Sequence, residues 1–495
     1  MTSNNTRSHA FFYAVVLMTL LVVGTIVVYF LILPRAIPKQ IIVAALPFDG
    51  PEHLPKHMTH AFPKHLTELV ALSRELTVID FDEARAALEL GERFRGFTEE
   101  LGATHIVDGE FVEDAEEPGN FVLTVRVVNV TQLAWKLRWD EQYHYPEQSL
   151  AQIRDQAAAG VLKGLYDNSV GEIPIASNSA ENFEGYLEAL WLADSGNRTQ
   201  AQQRLVGLPH IESNPYALHL LSTLLPDDAE KYVELALSAD PNHYPSLIEH
   251  AKQTYRKDGD LAQYLQTITA LAGKYPNSEA VKEMADLYHA LGWYDEEEQL
   301  LFRWVKMRPR SGEAALAMAF SRFRRGDDQQ VQEALRIAYL RDPNNPTVQR
   351  YRALYELEVD SVDPSPLEEP GYRFRYLAIN GLMDEAIEVL ETMGEEMSCD
   401  ESVEAGLYVG DLDRAFRSLE CAERLWTTPP VWWQESDARW EEFTSDERYS
   451  SWLEERGLRE SAIAGLEPAS VEKLFAPIRK VLKPSEDFAP SSDDN

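Results

Sequence analysis

Four histidines near the start of the chain form its densest group of side chains able to bind protons or metals: His53, His57, His60 and His65. If Pro55 opens a helix, His57 and His60 lie one turn apart on one face, and His53 approaches from the preceding loop. Neutral imidazoles at this spacing can bind Zn²⁺ or Ni²⁺, and histidine is also the natural pH switch. We expect solvent-exposed side chains. A pH-sensing patch and a metal site at His53, His57 and His60 remain the alternatives.

The sequence contains no complete ligand set and no catalytic set. Pro63 is expected to break the helix before His65, and no cysteine or well-spaced carboxylate completes the cluster. Phosphate-binding P-loops and the GxSxG, HExxH and GxGxxG motifs are missing from the sequence. We therefore expect a protein that is not an enzyme and that holds no cofactor and no metal.

The two cysteines, Cys399 and Cys421, are the other pair whose spacing bears on chemistry. Gly410 is the inferred turn of a helical hairpin, and each cysteine is 11 residues from it. Residues equidistant from the turn of an antiparallel hairpin lie side by side, so the geometry allows a disulfide in an oxidising compartment. In a reducing cytosol the pair would be two buried small residues instead.

An uncharged apolar stretch, Ala10 to Leu33, predicts one transmembrane helix after a short polar head at 1–9. Its 24 residues span about 36 Å at roughly 1.5 Å per residue, and a hydrocarbon core is about 30 Å thick. The stretch is too long for a cleaved signal peptide. Basic groups flanking it nearly balance, with Arg7 and the amino terminus against Arg35 and Lys39. This count slightly favours a cytoplasmic body.

Charge excludes some partners. The net charge is −36, from 82 acidic against 46 basic residues, which argues against binding nucleic acid, whose phosphates need Lys and Arg. The same charge argues against lying on anionic lipid. A well-solvated surface explains it, and the alternative is an acidic surface that selects basic partners.

Residues 41–166 predict a small α/β domain with a mixed sheet. Apolar and β-branched runs predict five strands: Ile41–Phe48, Leu76–Asp80, Thr104–Val112, Phe121–Thr131 and Ala134–Tyr143. Helical spacing predicts helices at Ala61–Ser73, Glu83–Leu90, Phe97–Leu101 and Gln148–Leu165. In the fourth strand, alternation places Leu123, Val125 and Val127 on one face.

Residues 180–428 repeat with the period of about 34 that is typical of tetratricopeptide arrays. Prolines recur at Pro241, Pro276, Pro309 and Pro343, and turn glycines recur in phase at Gly259, Gly292 and Gly326. Small residues such as Ala217, Ala236, Ala285 and Ala319 hold matching positions. Glu297 and Val331 stand where alanine is usual, so looser packing is expected there. An all-α tetratricopeptide-like solenoid follows, with an interruption at 357–370.

The end of the chain predicts a Trp-rich cap at 429–482 and a disordered acidic tail at 484–495. Four tryptophans mark the cap: Trp432, Trp433, Trp440 and Trp452. We expect the cap to cover the last helix pair.

Residues 41–166 resemble the TolB amino-terminal-like domain. The resemblance rests on the segments IIVAALPF, HLTELVALS, LTVID, FTEELGATHIVDGEFV and AWKLRWDEQY, of which GATHIVDGEF is the most specific. In that family the domain often precedes helical repeats, as in membrane-bound CadC-type regulators and adenylate-cyclase-associated proteins. The segment WEEFTSDERYSSWLEERGL resembles the one that closes their repeats. Nine residues before the membrane segment cannot hold their winged helix, and no cyclase-like segment is present.

The resemblance implies a bacterial, single-pass inner-membrane protein whose body lies in the periplasm. This outweighs a difference of one or two flanking charges and favours the Cys399–Cys421 bridge. The expected function is that of a membrane-anchored interaction scaffold or sensor arm that binds a protein or peptide partner in the groove of the solenoid. The alternatives are a signalling component acting in trans with a separate transcription regulator or cyclase, and a pH- or metal-responsive receptor.

Overall fold

The computed structural model describes residues 41–475 except 74–75, 90–100, 116, 118, 131–134, 167–179, 325–327, 343–347, 350, 353–369, 380, 394–396, 423–424, 426–437 and 459–462. The predicted head at 1–9, transmembrane helix at 10–33 and tail at 484–495 lie outside these residues, as do most of the Phe97–Leu101 helix, Gly326 and Pro343. Among the described helices, none combines the length and the apolar character needed to cross a bilayer.

A five-stranded mixed sheet confirms the predicted small α/β domain. Its strands are β1 Ile42–Ala45, β2 Thr77–Val78, β3 His105–Glu113, β4 Phe121–Val130 and β5 Trp135–Tyr145, in the spatial order β2-β1-β3-β4-β5. The contacts of β1 with β2 and β3 are parallel, and β3–β4 and β4–β5 are antiparallel. The parallel pairs need crossover helices, whereas the antiparallel pairs need only short turns.

Three helices complete the domain: α1 Phe62–Val70, α2 Phe81–Glu89 and α3 Leu150–Leu165. A π-helical turn, His57–Ala61, leads directly into α1. The prediction that Pro63 breaks this helix is wrong, because Pro63 stands in its first turn, where the missing N–H would have no intrahelical partner. Helix α3 begins with a capping box, in which Ser149 and Gln152 satisfy each other's backbone N–H groups.

The fourth strand shows how the sequence sets the two faces of the sheet. Leu123, Val125 and Val127 are fully buried on the face covered by α1 and α3, which confirms the predicted alternation. Val130, three residues after Val127, lies on the opposite face by the same alternation and belongs to the core beside α2. The ladder between β4 and β5 shifts register at this point, where Arg138 of β5 stands as an extra residue between the partners of Val127 and Val128.

The rest of the described chain is almost entirely helical. The helices are α4 Ala180–Asp194, α5 Arg198–Val206, α6 Pro215–Leu224, α7 Ala229–Ala239, α8 Tyr244–Asp258, α9 Leu261–Lys274, α10 Ala280–Ala290, α11 Tyr294–Met307, α12 Gly312–Arg324, α13 Asp328–Arg341, α14 Pro370–Ile379, α15 Met383–Met393, α16 Cys399–Val409, α17 Leu412–Leu419, α18 Ala438–Ser445, α19 Glu447–Glu455 and α20 Val471–Leu474. Successive helices from α4 onward pack in pairs, such as α8 with α9 and α12 with α13.

The turns inside these pairs use the predicted glycines. Gly259 and Gly292 adopt left-handed backbone angles, with φ of +67° and +74°, and Gly196, Gly381 and Gly410 do the same. This region favours glycine because a Cβ clashes there. Pro241, Pro276 and Pro309 each follow the end of the second helix of a pair by two residues.

Small and unusual residues at the helix crossings are packed tightly. Ala217 and Ala319 are fully buried, as the repeat pattern predicts. The expectation of looser packing at Glu297 and Val331 is wrong, since these residues are 4% and 0% exposed. The Glu297 carboxylate accepts a 2.9 Å contact from His289 Nδ1, so a polar pair fills the space that alanine usually leaves.

The α/β domain and the first helix pairs share one hydrophobic core. Phe183 and Tyr186 on α4 and Leu221 on α6 belong to the same cluster as Leu66 on α1 and Val161 on α3. The Arg154 guanidinium on α3 lies 4.6 Å from the centre of the Phe183 ring. Residues 41–474 accordingly form one compact unit.

The C-terminal segment contacts two distant parts of the helical region. Phe443 on α18 stacks on Phe416 on α17 at 4.8 Å, so the cap helices lie against the last pair. Beyond α19 the chain meets the α8–α9 turn, where the Tyr255 hydroxyl donates to the Arg456 carbonyl at 2.9 Å. The backbone of Gly259 approaches that of Glu455 so closely that a Cβ at Gly259 would overlap its carbonyl oxygen.

This close approach predicts different costs for two alanine substitutions. Gly259→Ala and Gly292→Ala both place a Cβ at positive φ, which costs about 1–2 kcal/mol. Gly292 has open space around the added Cβ and serves as the matched control. Gly259→Ala must also displace the Glu455 carbonyl, so we expect it to lower the free energy of unfolding in urea by a further ~1–3 kcal/mol. Equal losses in the two variants would show that the C-terminal segment does not pack on this turn.

Candidate functional site

The structure separates the three histidines that were considered as metal ligands. His53 Nε2 lies 3.5 Å from Glu113, and His57 Nε2 lies 3.6 Å from Glu184. His60 Nδ1 contacts the Thr59 hydroxyl at 2.9 Å. Across the described ranges, no three His, Cys, Asp or Glu side chains are placed to hold a metal ion. The geometry therefore offers no support for the metal alternative.

His65 is not on the surface, so the expectation of solvent exposure is wrong for this residue. Its side chain is 0% exposed and lies among the rings of Phe183, Tyr186 and Tyr216, with centroid distances of 5.2, 5.5 and 4.5 Å. Burial lowers the pKa of His65, although the hydrogen bond from Nδ1 to Glu68 at 3.3 Å opposes this shift. A neutral imidazole thus connects α1 to the helical region.

A cleft of about 710 Å³ lies beside this contact, between the α/β domain and the helical region. The domain contributes α1 and the junction of β2 with α2. The helical region contributes the first helices of four successive pairs, α4, α6, α8 and α10, together with the end of α11. Since these first helices repeat along the chain, their exposed residues form one continuous wall.

Asn277, in the loop before α10, fixes the far end of the cleft. Its amide nitrogen donates to the backbone carbonyls of Ala71, Ser73 and Leu76 at 3.2, 3.1 and 3.0 Å. The buried Arg303 guanidinium supports it, with Nη2 3.3 Å from Asn277 Oδ1. The domain therefore contacts the helical region on both sides of the cleft, at His65 and at Asn277.

The cleft is acidic, and its own cations are already paired. Seven carboxylates and four cationic side chains line it. Lys64 lies 2.8 Å from Asp194 and 3.1 Å from Asp82, Lys252 lies 2.8 Å from Glu283, Lys282 lies 2.5 Å from Asp286, and Arg308 contacts Asp80 and Glu279. An entering ligand thus meets excess negative charge.

Two pKa shifts reflect this crowding of charge. Burial alone would lower the pKa of Lys64, but Asp82 and Asp194 outweigh it and raise the pKa above its ordinary value. Burial raises the pKa of Glu83 to about 7, and the neighbouring Asp80 adds to the shift. Lys64 therefore stays charged, and Glu83 titrates near neutral pH.

One wall of the cleft is aromatic. We call this surface the aromatic wall; its residues are Tyr186, Tyr216, His219, His243 and Tyr244. The rings of Tyr216 and His243 meet edge to face at 4.7 Å, and His219 lies 5.6 Å from His243. Burial lowers the pKa of His243 to about 2, with His219 and His65 adding to the effect. Burial also lowers the pKa of His219, so both imidazoles are neutral near pH 7.

Analysis of the sequence did not identify this wall. The close spacing of His53, His57 and His60 favours a cluster there, but these side chains have separate partners, whereas the cleft uses residues from successive helix pairs. One signal was available: Tyr216, His219, His243 and Tyr244 all stand near the starts of consecutive first helices. Polar aromatic residues recurring there mark the surface that the repeats present together.

The structure brings Cys399 and Cys421 together in a disulfide, with their Cα atoms 5.7 Å apart. Cys399 is the first residue of α16, whose N-cap Ser398 forms a capping box with Glu401. Cys421 follows α17, and Gly410 at φ +72° makes the turn between the two helices. The bond therefore closes the base of a helical hairpin, about 11 residues from the turn on each side.

The buried tryptophans of the cap help to hold the same region. Trp440 and Trp452 are 6% and 7% exposed, and Tyr449 packs between their helices. Trp432 and Trp433 lie outside the described residues. The described part of the cap is thus packed against protein and presents no aromatic surface comparable to the wall of the cleft.

In comparisons with known proteins, no family model matches this chain, and no curated protein sequence matches it.

The disulfide generates a prediction about the native protein. We expect neither cysteine to react when protein isolated from its native cells is alkylated without reductant and analysed by mass spectrometry. Reduction should lower the free energy of unfolding by about 3 kcal/mol, the value for a closed loop of this order of length. A Cys399→Ser, Cys421→Ser variant is the control and should not respond to reductant. Alkylation of both thiols in the native protein would show that the bridge does not form.

Proposed function

We propose that this protein is a membrane-anchored interaction scaffold that captures a basic peptide segment of a partner protein in the cleft. The observation that carries the proposal is the cleft itself, an acidic and partly aromatic groove along the first helices of four repeats. Peptides commonly bind along such surfaces because each repeat offers the same kind of contact to a different part of the ligand.

The finer assignment of the fold is part of this proposal. The helical pairs are those of a tetratricopeptide-like solenoid, and residues 41–166 are a TolB amino-terminal-like domain. Support for the first comes from the spacing of about 34 residues, the left-handed glycines inside the pairs and the buried alanines at the crossings. Support for the second comes from the sequence segments quoted above and from the mixed sheet.

Charge supports a cationic occupant. The four cations of the lining are paired with carboxylates, so an acidic peptide would find no free positive partner there. A basic peptide would meet the remaining negative charge in a site that is partly withdrawn from water, where charge pairs are screened less than on the surface. Binding of a basic peptide would therefore give part of the acidic excess of the chain a specific function.

The proposed location is the periplasmic side of the bacterial inner membrane, anchored by the stretch at 10–33. The family resemblance and the Cys399–Cys421 pair support it, because structural disulfides persist in oxidising compartments. A partner that carries the output, such as a separate regulator or cyclase, fits a chain in which no such module is recognisable.

The proposal is tested by a substitution that fills part of the cleft with a larger side chain. Full-length protein is incubated with a pool of random dodecapeptides at 150 mM salt, which screens weak surface attraction over about 8 Å, and the bound peptides are sequenced. Leu220→Trp places a bulky ring in the lining. Leu235→Trp, at a partly exposed site on α7 outside the cleft, is the matched control.

We expect bound peptides to be enriched in arginine and lysine for the original protein and for Leu235→Trp. Leu220→Trp should abolish the enrichment, because the inserted ring occupies the space that the peptide needs. Equal enrichment in both variants would contradict the proposal, since the basic peptides would then bind elsewhere on the acidic surface. The absence of any basic enrichment would contradict it as well.

A further inference from the structure

The aromatic wall contains polar atoms that the protein leaves without partners. His243 is 3% exposed, and its Nδ1 contacts the Ser246 hydroxyl at 2.9 Å, but its Nε2 has no hydrogen-bond partner among the described residues. The buried Nδ1 of His219 has none either within that part of the chain. Buried polar groups in proteins are nearly always paired, so two such atoms lining one cleft point to a ligand.

Three tyrosines of the same wall add hydroxyls to the cleft. Those of Tyr186, Tyr216 and Tyr244 form no hydrogen bond to another residue of the described ranges, and none of them is among the buried unpaired atoms, so they are accessible to a ligand. Burial raises the pKa of all three, so the hydroxyls remain protonated and neutral. A phenol oxygen and an unprotonated imidazole nitrogen can each accept a hydrogen bond. The wall therefore offers three phenol acceptors around flat rings, and His243 Nε2 and His219 Nδ1 accept or donate according to the tautomer of each ring.

Glu68 on α1 lies on the opposite side of the cleft from the aromatic wall. It contributes a negatively charged carboxylate to the lining. Its side chain is 37% exposed and forms a 3.3 Å hydrogen bond with Nδ1 of the neutral His65. No Lys or Arg of the described residues lies within ion-pair distance of it. After burial, the carboxylate is the next cause that raises the pKa of Tyr186 and Tyr244, and it also raises that of Tyr216, where the buried Arg154 opposes it. Lys64, one turn before Glu68 on α1, also interacts with this carboxylate, but it is held in ion pairs with Asp82 and Asp194. Glu68 thus presents to the aromatic wall a carboxylate that has no direct ion pair with Lys or Arg in the described part of the chain.

These three features define the ligand group by its chemistry. An anion is excluded by Glu68, and an apolar group would leave the acceptors unpaired. A guanidinium is planar, stacks on aromatic faces, carries five N–H donors and no acceptor, and pairs with a carboxylate through two hydrogen bonds. An ammonium supplies charge and three donors but does not stack.

We propose that Glu68 and the aromatic wall form the anchoring subsite for an arginine side chain of the captured peptide. This inference rests on the proposed function and specifies its ligand. The guanidinium lies over the tyrosine faces that line the cleft, donates to Glu68 and donates to the acceptors of the wall. Arginine is therefore selected over lysine, and the rest of the peptide extends along the first helices of the following repeats.

The test uses defined probes with full-length protein. Binding of N-acetyl-arginine amide, N-acetyl-lysine amide and N-acetyl-citrulline amide is measured by saturation-transfer NMR and calorimetry. Citrulline keeps the shape of arginine and removes its charge. Glu68→Gln removes the carboxylate charge, and Glu52→Gln, at an exposed loop position, is the matched control. Tyr216→Phe removes one acceptor and keeps the ring, so it provides a second variant if Glu68→Gln disturbs folding.

We expect arginine to bind at least about tenfold more tightly than citrulline, which is about 1.4 kcal/mol, and more tightly than lysine. Glu68→Gln should remove most of this preference, Tyr216→Phe should weaken arginine binding about two- to fivefold, and Glu52→Gln should change neither. In the dodecapeptide pool, Glu68→Gln should lose the arginine enrichment. Equal binding of arginine and citrulline, or a preference unchanged in Glu68→Gln, would overturn the inference.

The failures of the two proposals are distinguishable. Suppose the original protein selects basic peptides and Leu220→Trp does not, but Glu68→Gln leaves the arginine content of the bound peptides unchanged. The proposed arginine subsite is then wrong, and the proposed function stands. If N-acetyl-arginine amide binds through Glu68 while no peptide is selected, the guanidinium comes from a free small molecule and the peptide proposal is wrong. If neither the amide nor any peptide binds, both proposals are wrong.

Discussion

The packing of His65 among Phe183, Tyr186 and Tyr216 is the contact on which the rest of the structure depends. A histidine at 0% exposure must be neutral or paired, and here burial lowers its pKa while the Glu68 carboxylate accepts a hydrogen bond from Nδ1. The contact joins α1 of the α/β domain to α4 and α6 of the helical region. It places the domain against the first helices of the repeats, and the cleft follows from that placement.

A second consequence concerns access to the surface that the first helices of the pairs form together. Stacked helix pairs often present such a surface as an open groove. Here the α/β domain covers part of that surface, held at His65 on one side and at Asn277 on the other. Farther along, the C-terminal segment reaches α8 and α9 through Arg456 and Glu455. A ligand must therefore enter a space that is already bounded by the protein's own chain, which favours an extended peptide over a folded surface.

Much of the fold was predictable from local patterns. Alternation in Phe121–Thr131 identified the buried face of β4, and the spacing of Gly259 and Gly292 located two turns between helices. These features depend on short-range sterics, which leave a periodic trace in the sequence. The bulge at Val127, the burial of His65 and the tight packing of Glu297 were not predictable, because each depends on a partner far along the chain. Asn277 contacts residues more than 200 positions away, and a single asparagine gives no sign of that.

The central claim is that one ligand contacts both walls of the cleft at once. The most direct measurement is hydrogen–deuterium exchange of the full-length protein, followed by mass spectrometry, with and without the tightest-binding dodecapeptide from the pool. The account predicts slower exchange in α1 together with α6 and α8, and unchanged exchange in α12 and α13, which lie outside the lining. Protection confined to one wall, or found only in α12 and α13, would contradict the account.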